Sequence, residues 1–266
     1  PYYQISLKFK LRSFMRYKYH RDFLKSNFND FKSIKTDKIK GIPQPLINKD
    51  YDNSHIIIPL PSVDKNILSK ENVFECIESR RSTRFFSEEG ISLEELSYLL
   101  WATQGNVGKN NIGLTLKTVP CSGATHSFET YLFIMNVNEI EAGIYRYIPE
   151  GHKLLFMFTL DKIENKVDEI TLEQPFVANF DKKSPVLFAW STTPYRSEWK
   201  FDITAHKKIL IDIGHVCQNL YLASESINSG TCAIGVYDQK KIDNILNLDG
   251  EEEFIIYLAA VGKKIK

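Results

Sequence analysis

Three β-rich stretches, Thr130 to Val137, Gly143 to Ile148 and Lys153 to Phe158, follow one another with short connections, the last across Pro149-Glu150-Gly151. Parallel neighbours need a crossover of a dozen or more residues, so strands this close in sequence read as an antiparallel meander. Regular alternation of strand and helix is missing elsewhere, and no Gly-x-Gly-x-x-Gly follows a strand. Both facts speak against a doubly wound sheet with a dinucleotide crossover and for an α+β fold.

Further strands are expected over Pro185 to Thr192, around Cys232 to Val236 and over Phe254 to Val261. The longest helix is expected from Ala205 to Ile227, with Ile209, Ile213, Val216, Cys217, Leu220, Tyr221 and Ser224 on one side and Asn228-Ser229-Gly230 as its stop. Ser92 with Glu95 makes a capping box for a helix that runs to Gln104. Ser69 is placed to cap an earlier helix with Val73, Phe74 and Ile77 on one face, ending near Ser79, and Asp238 to Leu246 reads as a short helix. Gly105 to Asn111 reads as a polar loop. Residues 41–63, with Pro43, Pro45, Pro59 and Pro61, read as an extended connection in which His55 to Ile58 is the strand-like piece.

At 266 residues, 43% hydrophobic and 25% charged, the chain has the material for a soluble protein with a sizeable core. The division expected is a basic arm and connection over residues 1–63 and one domain over 64–266. No apolar run approaches a membrane span, and no signal-peptide pattern opens the chain. Cys76, Cys121, Cys217 and Cys232 lack the close spacings of a zinc site or a disulfide framework. They read as free thiols in a reducing compartment, the cytoplasm by default, with no metal. Charge is uneven: residues 1–40 hold eleven Lys or Arg against three Asp, a local +8 in a chain of net +1, leaving −7 elsewhere. Such an arm suits nucleic acid or an anionic surface. Leu7, Leu11, Phe14, Phe23 and Leu24 give it a ragged apolar stripe, so a helical extension packed on a partner subunit is preferred, and nucleic acid is not expected.

The densest basic cluster outside the arm is Arg80-Arg81-Ser82-Thr83-Arg84. Guanidinium forks match phosphate oxygens, and a hydroxyl adds a neutral donor. Cations at the end of a helix also favour its dipole, so spacing alone leaves a phosphate clamp and a helix-end cap both open. Pro120-Cys121-Ser122-Gly123-Ala124-Thr125-His126 leads into a strand and is small enough to let backbone approach a flat ligand, or to be a plain turn. His126, His206 and His215 read as structural or solvent-facing.

In this order the pieces resemble the nitroreductase-like flavoprotein superfamily, and within it the SagB/ThcOx type of dehydrogenase, over roughly residues 43–264. The resemblance is carried by Gln44-Pro45 with Lys49, Tyr51 and Leu60-Pro61, by the arginine run, and by Leu100-Trp101-Ala102-Thr103-Gln104-Gly105. It continues through Pro120 to Glu129, Gly143-Ile144-Tyr145-Arg146-Tyr147, Gly214 to Ala223, Leu248-Asp249-Gly250 and Leu258-Ala259-Ala260-Val261-Gly262.

The resemblance implies a central, mostly antiparallel sheet flanked by helices, an intertwined homodimer and FMN at the subunit interface, with the arm wrapping its partner. It implies that Arg80, Arg81, Ser82 and Arg84 hold the ribityl phosphate, with Lys263 or Lys264 reaching it again. Pro120, Cys121, Ser122 and Gly123 would lie along the isoalloxazine, and the Gly230 turn near its reactive edge. Pro120-Cys121-Ser122-Gly123 departs from the usual Pro-Ser-x-Gly, leaving Ser122 or the Cys121 thiol for the ring contact. Azoline-oxidising members resemble one another in an Arg followed by a Lys-Tyr pair; here Arg196 precedes Lys200-Phe201, so the lysine is present and the phenol is not. The function expected is ping-pong hydride transfer through FMN N5, from NAD(P)H to a small electron-poor acceptor. The alternatives are oxidation of thiazoline or oxazoline rings in a modified peptide, with Lys200 as base, and a non-catalytic flavin-binding scaffold.

Overall fold

The computed structural model describes residues 17–18, 20–26, 31–52, 54–174 and 184–265. Leu7, Leu11 and Phe14 of the arm's apolar stripe lie outside these residues.

A seven-stranded sheet carries the molecule, formed by β1 (Ile57–Pro59), β4 (Phe128–Ile134), β5 (Gly143–Ile148), β6 (Lys153–Phe158), β7 (Val186–Thr192), β8 (Ser229–Ile234) and β9 (Phe254–Lys263). Its order is β1-β6-β5-β4-β7-β9-β8 and every neighbouring pair is antiparallel. The meander β4-β5-β6 is therefore present, and the fold is α+β. Residues 57–59, overlapping the strand-like piece expected at His55 to Ile58, form the strand at one sheet edge.

The central strands are buried on both faces, which is why they read as continuous apolar runs. Leu132, Phe188, Trp190 and Ala259 face one core with α2 (Leu93–Gln104) and α5 (Ala205–Ser226). Tyr131, Phe133, Ala189 and Leu258 face a second core with α3 (Ile163–Ile170) and α6 (Gln239–Ile245). On α5, Ile209, Ile213, Val216 and Leu220 recur at helical spacing and are all buried. Each such side chain contributes roughly 1.5–3 kcal/mol, so this stripe fixes the helix against the sheet. The Ser92/Glu95 capping box starts α2 with both reciprocal bonds in place.

Four local expectations change. Gly105 to Asn111 is no open loop: β2 (Asn106–Lys109) pairs with β3 (Thr115–Lys117) as a hairpin. α1 (Val73–Ser79) is capped by Asn72, while Ser69 instead bonds Ser226 O through its amide and hydroxyl. The α1 face formed by Val73, Phe74 and Ile77 is exposed at 63%, 66% and 59%, and Cys76 is the residue it buries. Finally, α3 and α4 (Tyr195–Phe201) are helices with no counterpart in the sequence reading.

Candidate active site

The arginine motif follows α1 and docks along the outer edge of β8. Thr83 N–H donates to Thr231 O at 3.0 Å, and Ser82 bridges Thr231 in parallel. Close approach requires Gly230: a Cβ there would lie 2.1 Å from Thr83 Oγ1 and 2.4 Å from Thr83 Cβ. The Arg80 guanidinium lies 5.4 Å from the centre of the Tyr221 ring, and Ser82 Oγ is 3.1 Å from the Tyr221 hydroxyl. Among the described residues Arg84 hydrogen-bonds the Ser82 carbonyl alone, at 3.4 Å. Arg81 donates to Glu78 O and Arg80 O at the end of α1, at 2.8 Å each. Among the described residues no carboxylate pairs with Arg80 or Arg84, so their charge is available to an anion.

The two C-terminal lysines differ in this respect. Lys263 pairs with Glu95, and Lys264 pairs with the buried Glu225, which also binds Lys70 and Ser79. Both ammonium groups are already matched. Gly230 lies at the arginine motif, in β8.

The turn Pro120–His126 is held from several sides. Gly123, Ala124 and His126 all have positive φ (62°, 55° and 50°), a costly conformation for the two non-glycine residues. Asp212 of α5, 6% exposed, accepts from Ser122 N at 2.8 Å and from Ser122 Oγ at 2.9 Å. From α4, Arg196 donates to His126 O at 3.3 Å and to the buried Glu129 at 2.7 Å, while Lys200 donates to Gly123 O at 2.8 Å. A Cβ on Gly123 would meet Lys200 Nζ and Phe201 Cζ at 2.7 Å each. Cys121 Sγ accepts from His126 N at 3.2 Å, and burial pushes its thiol up.

Charge around this turn is shaped by burial. Burial, then the Lys38 charge, pulls the Lys200 amine below its usual range. Burial takes Lys117, bonded to Gln104 at 3.0 Å, down to about 8. Burial and the neighbouring Lys117 take His126 down to about 4, so its ring is neutral and structural, bonding Thr115 O through Nε2. His206 faces solvent, as expected, and bonds Glu198 there.

The structure thus gathers Arg80, Ser82, Arg84 and Gly230 in one place and Pro120, Cys121, Ser122, Gly123 and Lys200 in another. α5 separates them. Asp212 holds the second group and Tyr221 the first, nine residues apart, about two and a half turns, so they sit on opposite flanks of the helix. Sequence reasoning missed Asp212 and the Glu129–Arg196 pair. A carboxylate beside the apolar stripe of Ile209 and Ile213 was the available signal for Asp212; Glu129 and Arg196 are too far apart in sequence to signal one another.

A model of the Nitroreductase family matches residues 77–263, well over half of the chain. The chain belongs to the nitroreductase family. A Methanocaldococcus jannaschii protein named as a nitroreductase is 29% identical over 209 residues, which cover 79% of this chain and 97% of that protein. A nitroreductase structure from Ralstonia eutropha superposes with a TM-score of 0.61 at 21% identity, over 81% of this chain and 93% of that one. The E. coli microcin synthetase McbBCD complex with truncated pro-MccB17 bound gives 0.60 at 14% identity, over 84% and 79%. A nitroreductase from Exiguobacterium sibiricum in complex with FMN gives 0.52 at 14% identity, over 74% and 90%. These structures share the fold, and the chain is a nitroreductase-family oxidoreductase. No described helix is long and apolar enough to cross a membrane.

Proposed function

We propose that this nitroreductase-family chain is an FMN-dependent oxidoreductase that works as a homodimer, taking electrons from NAD(P)H and passing them to a small electron-poor acceptor. The observation that carries the reading is the arginine motif, where among the described residues Arg80 and Arg84 stand free of carboxylates beside a serine hydroxyl. That donor set fits a phosphate, and the turn at Gly123 presents small residues and backbone suited to a flat ring. Arg80, Ser82 and Arg84 would hold the phosphate of FMN, and Pro120 to Gly123 would line its ring; Lys263 and Lys264 would support from their ion pairs. FMN bound there supplies two-electron redox chemistry.

The protein's own share is positioning. Asp212, Arg196 and Lys200 fix the turn, and Lys200 holds an amine whose proton is loosened by burial close to Gly123 O. Two copies are favoured because the phosphate set and the turn lie on opposite flanks of α5, so one chain does not turn both towards one ligand. The exposed Val73, Phe74, Ile77 and Phe85 beside the arginine motif offer apolar surface for the second copy. Purified protein is expected to be yellow, to release FMN on denaturation and to sediment as a dimer. Colourless dimer that takes up no added FMN contradicts the reading.

A second reading, oxidation of azoline rings in a modified peptide, is favoured by one observation: Lys200 does reach the turn. Against it, Phe201 occupies the place of the phenol, packed under Lys200 and Lys208, whose amines lie 5.6 and 4.6 Å from its ring centre. Turnover of a heterocycle-bearing peptide that Lys200→Ala abolishes supports this second reading; turnover of nitroaromatics with NAD(P)H and none of the peptide supports the first.

A further inference from the structure

We infer that Tyr221 is a positioning residue for phosphate recognition: its ring seats the Arg80 guanidinium, and its hydroxyl turns the Ser82 hydroxyl outward as a donor. The inference rests on the FMN reading above and adds to it a residue on α5 outside the phosphate motif.

The direction of the hydrogen bonds decides it. Ala233 N–H, 2.9 Å from the Tyr221 oxygen, can only donate, so that oxygen accepts. The phenol proton then needs an acceptor, and among the described residues the one in contact is Ser82 Oγ at 3.1 Å. Ser82, accepting from Tyr221, keeps its own proton. Among the described residues nothing else takes that proton, so the hydroxyl is left as a donor, the state an anionic oxygen requires. Polarisation along a chain of this kind strengthens its last donor.

The ring acts on Arg80 in a related way. An aromatic face attracts a guanidinium without consuming its N–H donors, whereas a carboxylate would neutralise the charge and occupy the fork. Lys263 and Lys264 illustrate the contrast, since Glu95 and Glu225 hold both. Tyr221 therefore fixes two phosphate donors while leaving them free.

Its geometry also explains why the motif stays on β8. Strand β8 ends the sheet, so the outward groups of Thr231 and Ala233 lack a strand partner. Thr83 N–H takes Thr231 O, and the Tyr221 hydroxyl takes Ala233 N–H. Tyr221 thus shares the closing of the edge with the motif's own backbone and aims the motif.

Riboflavin, which lacks the phosphate, separates this role from a structural one. Dissociation constants for FMN and for riboflavin are read from quenching of flavin fluorescence by full-length flavin-free protein. Tyr221→Phe is expected to raise the FMN constant about tenfold, the loss of one charge-assisted bond, and the riboflavin constant by less than about twofold. Tyr221→Leu, which also removes the ring, raises the FMN constant a further few-fold. Ser82→Ala shows the same phosphate-specific loss, and adding Tyr221→Phe to it costs little more, because the two act as one relay. Equal weakening of FMN and riboflavin in Tyr221→Phe or in Ser82→Ala, or unchanged FMN binding, overturns the inference. Wild-type protein that binds neither flavin overturns the FMN reading itself, and this inference with it. Tyr221→Phe keeps the ring on α5 and decides the question if Tyr221→Leu melts early.

Discussion

The two flanks of α5 treat charge in opposite ways. At the Tyr221 flank, Arg80 and Arg84 sit beside an aromatic ring, a hydroxyl and a carbonyl oxygen, with no carboxylate to neutralise them among the described residues, while one turn on Glu225 takes up Lys70 and Lys264. At the Asp212 flank, polar groups around the turn are matched: Ser122 to Asp212, Arg196 to Glu129, Lys200 to Gly123 O. The first flank has its attractive capacity open and suits a ligand that brings negative charge. The second has its capacity spent on holding a strained backbone, and suits a ligand recognised by shape. One ligand with a charged end and a flat end needs both.

Breaking the second flank should cost the fold as well as binding, and breaking the first should cost binding alone. Gly123→Val meets both a positive φ and atoms 2.7 Å from its Cβ, so we expect a loss of about 3 kcal/mol or more, read from denaturant unfolding. Stability unchanged within about 0.5 kcal/mol in that variant shows that the turn is not held as described.

Lys117 probes the same flank through pH. Its amine titrates near 8 when folded and near 10.5 when unfolded, so between these values the unfolded chain binds more protons. Stability of the wild type relative to Lys117→Met therefore rises from pH 8 to pH 10.5, by at most about 3 kcal/mol. A flat difference across that window contradicts the buried environment assigned to the amine.

On the first flank, Arg84→Ala should weaken FMN about a hundredfold while moving the melting point little, since its side chain meets only one carbonyl. Parallel losses of binding and stability would make Arg84 a structural residue. The smallest effect is Asp212→Asn, which keeps one acceptor for Ser122 and should cost about 1 kcal/mol of stability. A null result there places the turn under the control of α4 alone.

How much was legible follows from how local each signal was. β5 and β6 run over the residues expected of them, because a Pro-Glu-Gly turn lies between two β-rich runs. α2 announces itself through Ser92 and Glu95 three residues apart. α4 does not: it is seven residues long with no side-chain cap, and its place depends on distant partners, Lys38 N–H on Trp199 O, Ile42 O on Trp199 Nε1 and Glu129 on Arg196. The β2–β3 hairpin hides in Gly, Asn and Lys, with Val107 as its lone β-branched residue before the turn.

At the site, three arginines in five residues were visible, yet their division of labour was not. Arg81 serves the helix end while Arg80 and Arg84 remain open, a distinction made by the direction each side chain takes after α1. The pairing of Lys263 with Glu95 spans 168 residues, beyond any local pattern.

Co-expression of two defective chains asks whether one flavin is held by the arginine motif of one copy and the turn of another. Arg84→Ala and a turn variant such as Gly123→Ala each lose FMN as homodimers. A mixed dimer retains one intact motif facing one intact turn, so it should bind about one FMN per two chains. If motif and turn of the same chain shared the ligand, no intact site would exist in the mixture, and a mixed dimer as colourless as its parents would contradict the account.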